Sequence, residues 1–197
     1  MYRAFIVSIL LGSVVSQAGG AVIAAWDFDD GDLLVDTGSG TLGSTASSPG
    51  FVVDAPGDKS LQVLSSANNG RSLTISVDLS AFYDPVMTFS ARRNATGFRP
   101  NAVSFSADGG LTFTPAGTFN PASFFSGWTF NLDDADALDG NPASQIRITL
   151  AGATSTTGSV GFDEFAIVAI PVPEPTGVLL WLAGALIALS HRSLRTR

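Results

Sequence analysis

The segment Ser72-Leu73-Thr74-Ile75-Ser76-Val77-Asp78 carries the clearest secondary-structure pattern in the chain. Its leucine, isoleucine and valine alternate with serine and threonine, so every second side chain is apolar. Successive side chains of a β-strand point to opposite faces of the sheet. The alternation therefore predicts a strand that covers a core with one face and meets solvent with the other.

Nine other short segments are rich in apolar, β-branched or aromatic residues and are separated by Gly, Asp, Asn and Pro. The ten predicted strands are 22–28, 51–53, 61–64, 72–78, 86–91, 102–107, 111–114, 128–132, 145–150 and 160–168. This spacing predicts an all-β fold, an antiparallel β-sandwich or jelly roll. Residues 37–50 are almost entirely Gly, Ser, Thr and Pro, which predicts a flexible surface loop.

Composition agrees with one β-domain of ordinary size. The chain has 197 residues, of which 45% are hydrophobic and 14% charged, and 21 are glycine. The predicted domain, residues 25–170, contains six basic and sixteen acidic residues, so its net charge is −10. This charge disfavours nucleic acid as a partner.

The residue inventory predicts that the protein is not an enzyme. Cysteine is absent, and the single histidine, His191, lies near the C-terminus, which excludes a Ser-His-Asp triad and histidine-ligated metal in the domain. Glu164 is the only glutamate before Glu174, so glycoside hydrolysis by two carboxylates would have to use aspartates. No phosphate-cradling or dinucleotide-binding glycine motif is present.

The first 21 residues have the order of a secretory signal peptide. Arg3 precedes an apolar run from Ala4 to Val15, and small residues follow it. Cleavage after Ala18 and cleavage after Ala21 both satisfy the small-residue rule, so the cleavage point stays open. We expect a signal helix that is removed on export.

Residues 171–197 form a second targeting segment. A proline-rich stretch precedes an apolar run at 177–190, which predicts a single short transmembrane helix, and residues 191–197 are basic. Arginines beyond the apolar run favour a cytoplasmic end, which leaves the preceding domain outside the cell.

Pro173, Glu174 and Pro175, the apolar segment behind them and the basic tail with Arg192, Arg195 and Arg197 resemble the PEP-CTERM sorting signal of exported bacterial proteins. The resemblance implies recognition by a membrane-embedded exosortase and delivery to the cell surface or extracellular matrix. An ordinary C-terminal membrane anchor is the alternative.

Two acidic segments suggest a calcium site. Asp29 belongs to a carboxylate cluster after the first predicted strand, and Asp163 alternates with Phe165 and Ile167, which places it on the core-facing side of the last strand. A buried carboxylate requires a cation, an arginine or backbone N–H donors. The pair resembles carbohydrate-binding-module jelly rolls, in which such residues share a structural calcium. The alternative is that the Asp29 cluster is solvated and that Asp163 is held by backbone donors.

Aromatic and basic side chains offer candidate ligand contacts. Phe125 and Trp128 could stack on a sugar ring, although core packing explains them equally well. Arg92, Arg93 and Arg99 form a basic cluster that could receive an acidic polysaccharide or could balance nearby aspartates.

Two turn-like segments complete the motifs. Residues 106–113, Ser-Ala-Asp-Gly-Gly-Leu-Thr-Phe, resemble the Asp-box of sialidases, which implies a structural hairpin remote from any active site. Asp133, Asp134, Asp136 and Asp139 lack the ligand alternation of a calcium loop, which indicates a solvated turn.

The sequence thus predicts an exported, C-terminally sorted protein with a structural or adhesive, non-catalytic β-sandwich that contacts exopolysaccharide. A lectin-like carbohydrate-binding module is the first alternative, and a secreted glycan hydrolase or lyase is the second.

Overall fold

The computed structural model of the chain describes residues 19–132 and 136–172, which fold into twelve β-strands. The strands are β1 Ala21–Trp26, β2 Thr37–Gly38, β3 Thr41–Ser44, β4 Gly50–Ala55, β5 Asp58–Leu64, β6 Ser72–Val77, β7 Phe82–Arg93, β8 Asn101–Ser106, β9 Thr114–Phe119, β10 Ser126–Asn131, β11 Ser144–Thr149 and β12 Ser159–Pro171. Two single-turn 3-10 helices, Ser66–Asn68 and Asp136–Leu138, lie in connections.

The strands form two sheets, and the paired neighbours are antiparallel. The seven-stranded sheet has the order β10-β7-β12-β1-β2, and β5 pairs with the first part of β12 and carries β4 on its outer edge. The five-stranded sheet has the order β3-β6-β11-β8-β9. The predicted antiparallel β-sandwich is confirmed, and each of the ten predicted strands overlaps an observed one.

The core lies between the two sheets. Leu73, Ile75 and Val77 of β6 are buried, as their alternation predicted, and so are the facing side chains of β11. Phe89 of β7 stands at the centre of an aromatic cluster and contacts Phe119 across the core at a ring-centroid distance of 5.0 Å. Burial of these large rings contributes much of the hydrophobic stabilisation.

Both ends of the described chain lie at one pole of the sandwich, here called the terminal pole. Ala21 at the start of β1 pairs with Ala169, and Pro171 at the end of β12 pairs with Phe82. At the other pole, here called the distal pole, Val160 of β12 pairs with Arg93 of β7. At about 3.3 Å per residue, the ladder between the poles spans about 35 Å.

Three local predictions were wrong. Residues 37–50 do not form one flexible loop, because they contain β2, β3 and the start of β4. The strand predicted at 111–114 begins only at Thr114, since residues 107–113 form the connection from β8. Pro171 belongs to β12 and not to the targeting segment predicted at 171–197. Its missing N–H is tolerated because β1 no longer flanks β12 there.

The targeting segments fall largely outside the described residues. Residues 1–18 of the predicted signal peptide lie outside the described residues. So does the whole segment from Pro173 onward, with its predicted transmembrane helix. Within residues 19–132 and 136–172, no helix has the length and apolar character that a bilayer crossing requires. Because β1 starts at Ala21, cleavage after Ala18 would leave this strand whole, whereas cleavage after Ala21 would shorten it.

Candidate functional site

The outer surface of the five-stranded sheet is uniformly polar at its centre. Its side chains come from the positions of β3, β6, β8 and β11 that alternate with buried core residues. We call this surface the polar face; it comprises Thr41, Ser72, Thr74, Ser76, Ser104, Gln145, Arg147 and Thr149. It therefore presents hydroxyl, amide and guanidinium groups and no carboxylate.

Most of these groups are available to a ligand. Within the part of the chain that the structure describes, the side chains of Thr74, Gln145 and Arg147 make no hydrogen bond, and neither do those of Ser76, Ser104 and Thr149. Ser72 is the exception, since its hydroxyl lies 3.3 Å from that of Thr45. The donors and acceptors of the polar face thus remain free to pair with water or with a bound molecule.

Arg147 occupies the centre of the polar face. It pairs with Thr74 of β6 on one side and with Ser104 of β8 on the other. Its guanidinium carbon lies 3.1 Å from the centroid of the Phe113 ring, a cation–π contact. No carboxylate of the described residues forms an ion pair with Arg147. The positive charge of Arg147 is therefore not neutralised by a carboxylate of these residues.

The connection 107–113 places Phe113 over Arg147. The Asp108 carboxylate accepts hydrogen bonds from the Thr112 N–H at 2.9 Å and from the Thr112 hydroxyl at 2.6 Å. The Ser106 hydroxyl, which also bonds Asp108, accepts the Gly110 N–H. These hydrogen bonds hold the pKa of Asp108 well below its usual range. The bond from Ser106 has the largest effect, and the bonds from Thr112 have the next largest. The predicted hairpin between β8 and β9 is confirmed, but it is not remote from the candidate site, because its Phe113 forms one wall of the polar face.

A groove of 380 Å³ opens at the terminal-pole end of the polar face. Its lining includes Ser76, Asp78, Gln145, Gly109, Pro142 and residues 39–41, so the groove, unlike the polar face itself, contains one carboxylate, that of Asp78. The groove continues the polar face, because Gln145 and Ser76 are paired neighbours in the sheet. A ligand lying along the face would therefore extend into a partly enclosed end.

The two aromatic residues that the sequence singled out do not form one platform. Trp128 points into the sandwich and packs on Phe119 at a ring-centroid distance of 5.3 Å, and its Nε1 is buried without a hydrogen-bond partner. Phe125 lies on the outer surface of the seven-stranded sheet, where the Arg92 guanidinium covers its ring at 4.5 Å. Trp128 therefore belongs to the core, whereas Phe125 faces outward.

Asp29 and Asp163, the predicted calcium ligands, do come close to each other. Burial, together with the negative charges of Asp58, Glu164 and Asp29, raises the pKa of Asp163 to about 6, although the hydrogen bond from the Glu164 N–H acts in the opposite direction. The Asp163 carboxylate accepts one backbone hydrogen bond, from Glu164 N–H at 2.8 Å. Asp29 in turn accepts the Lys59 N–H at 2.9 Å. The structure therefore brings together the two acidic segments that sequence analysis paired.

Asp163 does not share the core face with Phe165 and Ile167, as the alternation had suggested. A β-bulge between Asp163 and Ala166 breaks the register of β12, and Glu164 within it has a φ of 51°. The bulge shifts the alternation by one residue, so Phe162 and Phe165 are both buried while Asp163 is only half-buried.

No set of three or more acidic or histidine side chains within residues 19–132 and 136–172 converges as metal ligands. Lys59 lies beside the acidic loop, and a Cβ at Gly31 would be 3.2 Å from its Nζ. Any cation held by Asp29 and Asp163 would thus need backbone carbonyls and water as further ligands.

The remaining predicted residues have structural or unassigned places. Asp139 accepts the Asp84 N–H at 3.0 Å, so it ties the turn after β10 to β7. Asp133 and Asp134 lie outside the described residues, as do Pro173, Glu174, Pro175, Arg192, Arg195 and Arg197. Arg99 is exposed and stands apart from Arg92 and Arg93, which lie at the end of β7.

Sequence reasoning missed Arg147, Gln145 and the rest of the polar face. The alternation Gln-Ile-Arg-Ile-Thr at 145–149 contained the signal, because it places an arginine in the middle of a polar strand face. Alternation alone does not give strand order, so it could not show that β11 lies between β6 and β8.

The chain matches no protein-family model and no curated protein. Solved structures resemble it in fold. The CBM22-1 xylan-binding domain from Paenibacillus barcinonensis Xyn10C is 14% identical with a TM-score of 0.51, over 79% of this chain and 99% of that domain. The tandem CBM22-1-CBM22-2 domain of the same protein is 14% identical with a TM-score of 0.53, over 84% of this chain and 50% of the tandem.

A family 29 carbohydrate-binding module from Piromyces equi is 11% identical with a TM-score of 0.49, over 82% of this chain and 96% of that module. At these identities the similarity shows the fold alone. The structural neighbours of the chain are carbohydrate-binding-module jelly rolls.

Proposed function

We propose that this chain is an exported, non-catalytic protein of the cell surface or extracellular matrix that binds a saccharide on its polar face. One observation carries the proposal: the centre of the five-stranded sheet presents an array of polar side chains without protein partners, beside an aromatic ring. The shared fold with carbohydrate-binding modules supports it.

The chemistry of the polar face suits a sugar chain. Saccharide hydroxyl groups both donate and accept hydrogen bonds, and the serine, threonine and glutamine side chains of the face offer both capacities. The ring of Phe113 provides an apolar surface that the C–H groups of a sugar ring can cover. Arg147 beneath that ring supplies donors that favour hydroxyl oxygens.

Binding of an exopolysaccharide through this face would make the protein an adhesive component of the matrix. Because β6, β8 and β11 run between the two poles, the polar face is a side of the domain and not an end. A long glycan could therefore lie along it without meeting either terminus.

Export and sorting complete the proposal. We propose that an exosortase and the membrane act on the PEP-CTERM-like segment, with Glu174 at its recognition element. The chain leaves the sandwich at the terminal pole, where Val172 still donates its N–H to Ala81, so an anchored tail would hold that pole toward the membrane. In the native host, Glu174→Ala should retain the full mass and stay in the membrane fraction. Identical mass and location of both forms would contradict this part.

A structural calcium at Asp29 and Asp163 is a further part of the proposal. The two carboxylates share a neighbourhood with Asp58 and Glu164, and a divalent cation would relieve their mutual repulsion. The half-buried position of Asp163 would then be stabilised rather than costly.

A glycan array probed with the full-length chain tests saccharide binding. The proposal predicts at least one bound neutral oligosaccharide, with an affinity that falls about tenfold in Arg147→Gln, because a charge-assisted hydrogen bond is lost. Arg99→Gln is the matched control, since it removes the same charge from an exposed position elsewhere. An array without any binder, or equal loss in both variants, would overturn the proposal, and turnover of the bound glycan would overturn its non-catalytic part.

A further inference from the structure

A second polar cavity lies on the opposite sheet, at the distal pole. It has a volume of 290 Å³, and Gln62, Arg92, Arg93, Ser123, Ser159 and Gly161 are among the residues that line it. We call it the arginine cavity. The wall contains two of the six basic residues of an acidic domain and no aspartate or glutamate.

Arg92 is fixed in place at this cavity. Its guanidinium forms an ion pair with Asp54 and lies over the ring of Phe125, 4.5 Å from the centroid. Gly161 makes room for it, because a Cβ there would be 3.4 Å from Arg92 Cγ and Nε. The side chain is therefore held in one position before any ligand arrives, which lowers the entropy cost of binding.

The Arg93 guanidinium has N–H donors that make no hydrogen bond within the described residues. Its Nη1 donates to the carbonyl oxygens of Asn94 and Ala95, which orients the guanidinium along the loop after β7. Its Nε is buried, whereas its Nη2 is accessible and makes no hydrogen bond, and no carboxylate of the described residues pairs with the guanidinium. Since Arg93 lines the cavity, a charged acceptor bound there can take the free Nη2 donors.

The remaining wall consists of neutral polar groups. Within residues 19–132 and 136–172, the side chains of Gln62, Ser123 and Ser159 make no hydrogen bond. They add an amide and two hydroxyls to the Arg93 guanidinium, which has no carboxylate partner among the described residues. The combination suits a ligand that carries one negative charge surrounded by hydroxyl groups.

We infer that the arginine cavity binds a uronic acid residue of an acidic polysaccharide, with the sugar carboxylate at Arg93 and the sugar hydroxyls at Gln62, Ser123 and Ser159. A carboxylate suits this position because a charge-assisted hydrogen bond from a guanidinium N–H is about twice as strong as one between neutral groups. The inference goes beyond the proposed function, because this cavity and the polar face lie on different sheets.

The distal position also gives the cavity a role in an anchored protein. The C-terminal segment leaves at the terminal pole, about 35 Å of β-ladder away from Arg93. A domain tethered by that segment would present the arginine cavity toward the surrounding matrix and the polar face along its side. One molecule could then link an acidic glycan to a second glycan.

Titration calorimetry of the full-length chain in non-ionic detergent tests the inference, with trigalacturonate as the probe and galactotriose as its neutral counterpart. We expect trigalacturonate to bind, with an affinity about tenfold lower in Arg93→Gln and unchanged in the exposed control Arg99→Gln. Trigalacturonate binding by Arg93→Gln as by the native protein would overturn the inference, and so would a loss of galactotriose affinity in Arg93→Gln as large as its loss of trigalacturonate affinity.

A second variant keeps the inference testable if Arg93→Gln does not fold. Gln62→Glu changes one atom of the side chain and puts a carboxylate into the cavity, so trigalacturonate binding should be lost. Asn131→Asp, which adds the same charge at an exposed position of β10, should bind normally. Loss in both variants would indicate general charge repulsion and contradict the site. Stronger binding of a sulfated galactotriose, or full competition by inorganic sulfate at equal concentration, would contradict the choice of a uronate.

Neutral glycan binding at the polar face and uronate binding at the arginine cavity can be contradicted independently of each other. Arg147→Gln should weaken neutral glycan binding and leave trigalacturonate binding intact, whereas Arg93→Gln should do the reverse. Trigalacturonate binding without any neutral glycan binding would overturn the proposed function alone.

Discussion

Phe113 covers Arg147, with 3.1 Å between the guanidinium carbon and the ring centroid, so a side chain of β11 is held by a ring from the connection between β8 and β9. The relationship couples a loop to the centre of the five-stranded sheet. It orients the one charged group of the polar face, and it places an aromatic surface beside the hydroxyl groups of β6 and β8.

Replacing Phe113 tests this coupling. Phe113→Ala should weaken neutral glycan binding about tenfold, because the apolar surface disappears and the guanidinium is no longer held. The melting temperature should change little, since the residue is only partly buried. Phe124→Ala, at an exposed phenylalanine away from this face, should bind like the native protein. Calorimetry with the glycan found on the array measures both, and equal affinities of all three proteins would refute a role for Phe113.

The raised pKa of Asp163 predicts a pH dependence of stability. This pKa is about 6 in the folded protein and about 3.9 in an unfolded chain, so the folded state binds more protons between pH 4 and 6. The contribution of Asp163 to the free energy of unfolding therefore falls as the pH rises through that window, and it stays reduced above pH 6.

Asp163→Asn removes this penalty. In EDTA at pH 7.5 the variant should melt about 2 °C higher than the native protein, and the difference should vanish near pH 4. Its amide oxygen can still accept the Glu164 N–H. Asp30→Asn, at an exposed aspartate of the acidic loop, serves as the control. A melting temperature of Asp163→Asn that is lower than native at pH 7.5 in EDTA would show that the carboxylate stabilises the fold.

Bound calcium should turn the destabilising effect of the Asp163 carboxylate into a stabilising one. A cation that binds only the folded protein raises its melting temperature by mass action. Calcium chloride should thus stabilise the native protein but not Asp163→Asn, and magnesium chloride, which demands a tighter geometry, should do less. The same calcium response in both proteins, or none in the native one, would rule out the site.

A pair of glycines tests the packing of the connection between β11 and β12. Gly152 has a φ of 77°, and a Cβ there would overlap the carbonyl oxygen of Arg99, so Gly152→Ala should lower the free energy of unfolding by about 3 kcal/mol. Gly57 has a φ of 84° with no atom within 4 Å of a Cβ, so Gly57→Ala should cost only about 1 kcal/mol. Denaturant unfolding compares them, and equal losses would contradict the packing.

Alternation identified the strands because a half-buried sheet imposes it residue by residue. Leu73, Ile75 and Val77 are buried as their spacing predicted. The same rule failed at Asp163, where a bulge adds a residue and the local pattern does not record it. It also failed at β3, whose Thr41-Leu42-Gly43-Ser44 has a single apolar residue and gains its place by pairing with β6.

The candidate sites depend on long-range pairing, which composition and spacing do not contain. Arg147 belongs to the polar face because β11 lies between β6 and β8, and Trp128 belongs to the core because β10 pairs with β7 in one register and not the next. The association of Asp29 with Asp163 was predictable, since the first and last strands of the proposed fold are neighbours.

Amide chemical-shift mapping during titration with a neutral oligosaccharide tests saccharide binding by the polar face most directly. We predict that the shifts concentrate at Thr74, Ser104, Gln145 and Arg147 and saturate with a single dissociation constant. Shifts confined to the outer surface of the seven-stranded sheet, or no shift at millimolar glycan, would contradict binding at the polar face.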